Sequence, residues 1–346
     1  MESPLWTDRY APTIDELPQA HLRTYLDHAT QRPINLLLHG PPGVGKTAAV
    51  FALATAAHAN PETDLLVINV ADFFSRTKRE IGNDPRFAHF LDDGVNRSKR
   101  EMITHVFRES VAHAPVSGSY RTVLLDNAES VREDFQQALR RIIERHHQTT
   151  QFILTTRQLG KIIPALQSRC LPVAVPPPDD AAVIERIETI LKAEGRAYDA
   201  SALALLTEHG QGNLRRAILA AQASAIEADR RDKQTVSESI VFETLSGLGH
   251  TDEIDTLLSQ AEGGEFDAAR TTLDDLLVDV GLDGEEILDE LVAVGRSRYD
   301  EAMLTALTVH AAETDAMLAT GGDDRVQLSR LLAEVGAGGL GQTPQK

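Results

Sequence analysis

The sequence has one cysteine, Cys170, in 346 residues. That excludes an intrachain disulfide and any zinc site built from several thiolates. Long hydrophobic runs are missing as well. Nothing approaches the ~20 apolar residues that cross a bilayer, and no N-terminal stretch resembles a signal peptide. The expectation is a cytoplasmic chain that meets no membrane. Lysine is scarce, 7 residues against 27 arginines. Positive charge is outweighed altogether, 34 Lys and Arg facing 52 Asp and Glu for a formal net charge of −18. The rest is ordinary for a globular protein, with 42% apolar and 25% charged residues, and the length suffices for two or three domains.

The acidity is uneven. Residues 1–178 hold 20 Lys and Arg against 19 Asp and Glu, whereas residues 179–346 hold 14 against 33. A lysine-poor, carboxylate-rich surface suits a cytoplasm of molar salt, where net charge keeps a chain soluble. A halophilic source is therefore expected.

Gly40-Pro41-Pro42-Gly43-Val44-Gly45-Lys46-Thr47 spells G-x-x-x-x-G-K-T directly after the apolar run Ile34–Leu38. Strand, glycine loop and helix in that order are the context of a phosphate-binding P-loop. Glycines let the backbone approach phosphate oxygens, and successive N–H groups at the helix N-terminus face the anion. Lys46 is placed to reach the β- and γ-phosphates and the Thr47 hydroxyl to hold Mg²⁺. The motif predicts a nucleoside triphosphate with Mg²⁺ as the ligand.

Five short apolar, partly β-branched runs mark the first half: Ile34–Leu38, Leu65–Val70, Thr122–Leu125, Phe152–Thr155 and Leu171–Val175. Helical patterns lie between them, which predicts a parallel five-stranded α/β sheet covered on both faces. Residues 73–95 combine charge with the breakers Gly82-Asn83, Pro85 and Gly94, and read as an insertion. Pro176-Pro177-Pro178 reads as a stiff connector. Beyond it every segment is helical in pattern, with Gly195, Gly210, Gly247, Gly281 and Gly295 as stop signals. Composition changes again near Lys233–Val236, and the glycine-rich tail 336–346 reads as disordered. The predicted division is an α/β nucleotide-binding domain over 1–178, a helical lid over 179–235 and an all-α domain over 236–335. A P-loop also needs an acidic partner at the end of a neighbouring strand. Thr122–Leu125 followed by Asp126 supplies one, a second group to position Mg²⁺.

With these residues in view, the chain resembles the small subunits of the replication factor C clamp loader, a branch of the AAA+ ATPases, as a divergent haloarchaeal-type member. Trp6-Thr7-Asp8-Arg9-Tyr10-Ala11-Pro12 is similar to the family's N-terminal W-x-E-K-Y-R-P, and Gln136–Arg141 repeats its Q-Q-A-L-R-R. Ser168-Arg169-Cys170 matches S-R-C, and Gly212–Ala217 is similar to the sensor-2 word G-D-M-R-R-A. The resemblance implies a hetero-oligomeric, five-membered ring that opens a sliding clamp and closes it around primer–template DNA. It implies that Arg169 is an arginine finger acting in trans, that Arg215 contacts the phosphates of the chain's own nucleotide, and that Tyr10 lies on the adenine side. It makes the helices after Val236 an oligomerisation collar.

Two departures concern hydrolysis. Where the family reads D-E-A-D, this chain reads Asp126-Asn127-Ala128-Glu129, so an amide that cannot accept a proton replaces the water-activating glutamate. Glu129 takes the place of the last Asp, not of the base. The sensor-1 asparagine is replaced by Arg157, with the flanking Thr156 offering a hydroxyl. The subunit is expected to bind ATP but to hydrolyse it weakly at its own site, while Arg169 completes a neighbour's. Candidates for DNA contact are Arg76, Lys78, Arg79, Lys99 and Arg100, each equally well read as a solvated charge. Two alternatives stay open: a non-hydrolysing interaction subunit of the same complex, and an unrelated P-loop enzyme such as a small-molecule kinase.

Overall fold

A computed structural model of the chain describes residues 5–70, 77, 79, 99–112, 120–130, 133–146, 148–248, 250–280, 282–319 and 323–336. The chain divides into two compact units, residues 1–241 and 242–346.

The first unit is built on five parallel strands: β1 (Leu36–His39), β2 (Leu65–Asn69), β3 (Arg121–Asp126), β4 (Thr150–Thr156) and β5 (Leu171–Ala174). Their spatial order is β2-β3-β4-β1-β5, with Leu36 opposite Ile153 on one side and Leu171 on the other. The apolar runs of β1, β3 and β4 are continuous because both faces of the sheet are buried there, whereas the edge strand β5 exposes Leu171, Pro172 and Ala174. Successive residues serve opposite faces. Leu37, Val123, Leu125, Phe152 and Leu154 join one cluster with Phe107, Phe135, Leu139 and Ile143. Leu36, Leu38, Leu124 and Ile153 join the other with Leu22, Leu26, Val50 and Leu53.

Helices α1 (Trp6–Arg9), α2 (Ala20–Gln31), α3 (Lys46–Ala57), α4 (Pro61–Asp64), α5 (Lys99–Ala112), α6 (Glu133–His146) and α7 (Pro164–Gln167) connect or cover the strands. In α3 the apolar positions include Ala49, Ala52 and Ala54, whose small side chains let the helix lie close to the sheet. After the proline connector come α8 (Asp180–Ala193), α9 (Ala200–Gly210), α10 (Leu214–Arg230) and α11 (Glu238–Leu248), within which the division between the units falls. Asp179 and Asn213 cap α8 and α10, their carboxylate and amide oxygens accepting from Ala182 N at 2.8 Å and Arg216 N at 3.0 Å. A two-stranded parallel pair, β6 (Ala197–Tyr198) and β7 (Thr235–Val236), interrupts what the pattern read as purely helical.

The second unit holds α12 (Thr251–Glu262), α13 (Phe266–Asp274), α14 (Gly284–Arg298), α15 (Glu301–Ala319) and α16 (Asp324–Gly336). Its core gathers Ile254, Leu258, Leu273, Ile287, Leu291, Leu307, Leu328 and Leu332. Arg298 ties α14 to α12 through Glu262 at 2.6 Å and Asp255 at 2.5 Å. Gly210 and Gly247 lie at or next to the last residue of their helices, whereas Gly295 lies inside α14. A Cβ on Gly295 would sit 2.4 Å from Leu307 Cδ2, so this glycine serves close helix contact, not termination. Helix α16 runs one residue into the segment 336–346 that the sequence pattern reads as disordered. Gly336 is its last residue; 337–346 lie outside the described residues.

Candidate functional site

Thr156 and His39 are opposite one another at the carboxyl ends of β4 and β1, and Asp126 ends β3. Open parallel sheets leave their crevice at this edge, and residues distant in sequence converge there. The glycine loop leaves β1 and enters α3. Gly40 donates its N–H to Thr156 O at 3.2 Å. A Cβ at Gly40 would lie 2.1 Å from the carbonyl oxygen of Val175, so no other residue fits. Pro41 and Pro42 are exposed, Val44 is buried, and Gly45 is the N-cap residue of α3. Lys46 Nζ donates to Gly40 O and Pro41 O, both at 2.7 Å. The Thr47 hydroxyl donates to the Asp126 carboxylate at 3.1 Å. The pair Thr47–Asp126 expected from the sequence is thus in direct contact, although β4 separates β1 from β3.

Burial lowers the pKa of Lys46; Glu129 and Asp126 oppose that shift and the guanidiniums of Arg157 and Arg215 add to it. Burial, and then Lys46, also lowers His39. These influences place four charged side chains around one ammonium. Arg157 follows β4 directly, its Nε 4.0 Å from Glu129 Oε1. Asn127 has φ 58°, a left-handed conformation that asparagine tolerates better than most residues. Its N–H donates to the Thr155 hydroxyl at 3.2 Å, and that hydroxyl in turn donates to Asp126. The sequence pointed to Thr156 instead. The Thr156 hydroxyl is engaged in a local turn, donating to Gln158 O and accepting from Gln158 N, both at 3.1 Å. Alternation along β4 decides this, since neighbours in a strand face opposite ways.

The loop is also tied to α10. Arg215 N donates to Gly43 O at 3.1 Å, and Arg215, the second residue of the helix, is exposed. Gly43 has φ +71°, and a Cβ there would fall 1.7 Å from Asn213 Oδ1. Gln19 adds a tie that the sequence did not signal, donating to Val44 O at 3.2 Å and Pro176 O at 3.0 Å.

Tyr10 stands with α8. Its hydroxyl donates to Glu194 Oε1 at 2.7 Å, its carbonyl accepts from Arg186, and Trp6 packs edge-on to its ring at 6.5 Å. Trp6 is buried and its backbone N–H donates to Gln222 Oε1 of α10 at 2.8 Å, a packing role. Arg169 follows α7 and is 44% exposed. It pairs with Glu144 of α6 through Nε at 2.9 Å and a terminal nitrogen at 2.8 Å. Gln136 fixes the approach to it: its amide donates to Lys161 O at 2.9 Å and accepts from Ile163 N at 2.8 Å. Cys170 is buried, which pushes its thiol up to about 12. Among the DNA candidates, Arg79 is exposed. Arg76, Lys78 and the side chains of Lys99 and Arg100 lie outside the described residues. Among those described, no cluster of three or more His, Cys, Asp or Glu side chains could hold a metal, and no helix is long and apolar enough to cross a membrane.

Comparison with known proteins gives this geometry its family. Residues 36–175 match the model of the ATPase family associated with various cellular activities, and residues 249–334 match the replication factor C C-terminal domain. The replication factor C small subunit of Halobacterium salinarum is 32% identical over 339 residues, covering 96% of this chain and 95% of that protein. The corresponding proteins of Natronomonas pharaonis and Saccharolobus solfataricus are each 30% identical, covering 96% and 97% of this chain and 95% of each. The two salt-loving sources fit the carboxylate excess. Among solved structures, the Thermotoga maritima RuvB Holliday junction branch migration motor superposes with a TM-score of 0.53 at 17% identity, covering 80% of this chain and 89% of that one, a likeness of fold. The chain belongs to the replication factor C small-subunit family, within the AAA ATPases.

Proposed function

We propose that this chain is a clamp-loader small subunit that binds ATP with Mg²⁺, holds it at a poorly hydrolysing site, and lends Arg169 to a neighbouring subunit. The observation that carries the reading is one contact and one substitution side by side. Thr47 and Asp126 are joined at 3.1 Å beneath a glycine loop, and the next residue, Asn127, is an amide held in a left-handed conformation. Two oxygen donors at the end of a phosphate loop fit a small hard cation, which Thr47 and Asp126 would hold. Bound there, Mg²⁺ would neutralise charge on the phosphate oxygens.

The loop N–H groups and Lys46 grip the phosphates. In the present conformation Lys46 rests on the carbonyls of Gly40 and Pro41, which keep its donors satisfied until phosphate oxygens replace them. Asn127 offers no proton acceptor, and replacing a general base costs roughly 10²–10⁴ in rate. Arg169 is half exposed and paired with Glu144 at the surface of its own chain, which supports a role at a neighbouring subunit. Such a finger contributes roughly 10³–10⁵. Residues 179–235 serve as the lid, residues 236–335 as the collar, and Tyr10 sits on the adenine side. The partners are the other replication factor C subunits, the sliding clamp and primer–template DNA.

Single-turnover hydrolysis by the assembled complex tests the division of roles. Arg169→Ala is expected to suppress turnover, because it disables a neighbour's site. Lys46→Ala is expected to abolish nucleotide retention at this subunit with a smaller effect on turnover. If Lys46→Ala abolishes turnover and Arg169→Ala leaves it intact, the roles are wrongly assigned.

A further inference from the structure

Arg169 joins an anchored backbone to an exposed side chain. Its N–H donates to Leu166 O at 3.0 Å as α7 ends, its carbonyl accepts from Asn35 Nδ2 at 3.3 Å, and the next residue, Cys170, is buried. The backbone is held against the sheet, so any reach must come from the side chain. That side chain is occupied at home. Nε donates to Glu144 Oε1 at 2.9 Å, one terminal nitrogen lies 2.8 Å from the same oxygen, and the other donates to Ser168 Oγ at 3.3 Å. Each guanidinium nitrogen thus has a partner within the chain. Arg140, one turn before Glu144 on α6, brings its Nε to 3.8 Å from that oxygen as well. A single carboxylate oxygen draws two arginines.

We propose that Glu144 is a positioning residue that stows Arg169 against its own chain, and that a neighbouring subunit's nucleotide must displace Glu144 before Arg169 can act. The proposal rests on the reading that Arg169 works in trans. Carboxylate and phosphate oxygens compete for the same planar fork of donors. Glu144 takes the Nε side of that fork, one of the two edges that grip a phosphate at two points. A phosphate can neither use that edge nor draw the arginine outward without displacing the carboxylate. The hold is weak by construction, because the pair is 44% and 37% exposed and exposed pairs contribute little. It is nonetheless a contact pair, which molar salt screens less than charges set further apart than the ~3 Å Debye length. Neutralising Glu144 would also leave Arg140 and Arg169 as like charges with no carboxylate at residue 144 between them, which favours the outward position.

The test is single-turnover hydrolysis by the assembled complex in molar potassium chloride, over a range of ATP concentrations. Glu144→Gln keeps the size of the side chain and removes its charge. It is expected to raise the maximal rate about two- to fivefold, the worth of one exposed ion pair. The half-saturating ATP concentration should not move, because the neighbour's own loop binds the nucleotide. Glu144→Gln combined with Arg169→Ala should be as slow as Arg169→Ala alone, since no finger is left to release; a general structural effect of residue 144 would shift both backgrounds. In the free full chain, the Arg169 Nε–H, observed by nitrogen-15 NMR, should exchange with water faster in Glu144→Gln than in the parent. A lower rate in Glu144→Gln would mean that Glu144 orients the finger for action, and overturns the proposal. An unchanged rate or unchanged Nε–H exchange also overturns it, while the role of Arg169 stands. An Arg169→Ala complex that turns over normally overturns both.

Discussion

Replacing Gly43 by alanine tests how the glycine loop is coupled to α10. Two costs can be separated. Residue 43 has φ +71°, and an L-residue in that region loses roughly 1–2 kcal/mol. The new Cβ would also fall 1.7 Å from Asn213 Oδ1, the oxygen that caps α10 by accepting from Arg216 N at 3.0 Å. Asn213 must rotate away, and an N-cap contributes about 1 kcal/mol. Gly43→Ala should therefore cost roughly 2–3 kcal/mol and Asn213→Ala about 1 kcal/mol. The double variant should cost no more than Gly43→Ala, because the cap is lost only once. That is a coupling of about 1 kcal/mol between residues 170 positions apart. Equilibrium denaturation in molar potassium chloride gives the three values. Hydrogen exchange at the Arg215 and Arg216 amides, which donate to Gly43 O and Asn213 Oδ1, localises them. Strict additivity would refute the reasoning, and so would unchanged exchange at Arg216 in Gly43→Ala.

Three further outcomes are expected. Thr155→Val removes the hydroxyl that accepts from Asn127 N and donates to Asp126, and should cost about 1–3 kcal/mol in denaturation; a loss below ~0.5 kcal/mol would mean that water replaces it freely. Burial, and then Arg216, pushes His209 down to about 4, and its Nε2 lies 3.3 Å from Arg216 Nε, an arrangement for a neutral ring. Because the unfolded chain takes up that proton near the ordinary value of 6.5 and the folded chain does not, stability should fall as pH drops from 6.5 toward 4. His209→Gln should flatten that slope, and an unchanged slope would assign it elsewhere. Cys170, with its thiol raised to about 12 by burial, should resist alkylation in the native chain at pH 8 and react once unfolded; fast native labelling would show that the segment opens readily.

Much of the candidate site was legible because its parts are contiguous. The eight residues Gly40–Thr47 carry their own context, and Asp126 announces itself by ending an apolar strand. The contact between the glycine loop and α10 was legible only as a family resemblance at Gly212–Ala217. That Arg215 N reaches Gly43 O depends on how α10 packs, which no local pattern encodes. Thr155 and Thr156 are chemically identical neighbours, and only the facing of β4 chooses between them. Glu129 read as a poor substitute for the base, and it remains outside that position. Its proximity to Lys46 and Arg157 became visible once the turn after β3 was folded. Gly295 read as a helix stop because glycine is that signal more often than not; the Leu307 side chain pressed against it belongs to another helix.

The sequence alone determined which segments become buried strands, since runs such as Thr122–Leu125 and Phe152–Thr155 are too apolar to leave either face in water. It also determined the chemistry available at the loop, because Lys46, Thr47, Asp126 and Asn127 are what they are in any arrangement. The tertiary structure alone decided the strand order β2-β3-β4-β1-β5 and hence which charges share the crevice. Parallel strands paired through long crossovers take their order from packing over the whole sheet, not from any local stretch of chain. That order brings Asp126 to Thr47 and Glu129 and Arg157 toward Lys46, while the packing of α10 against the glycine loop brings Arg215.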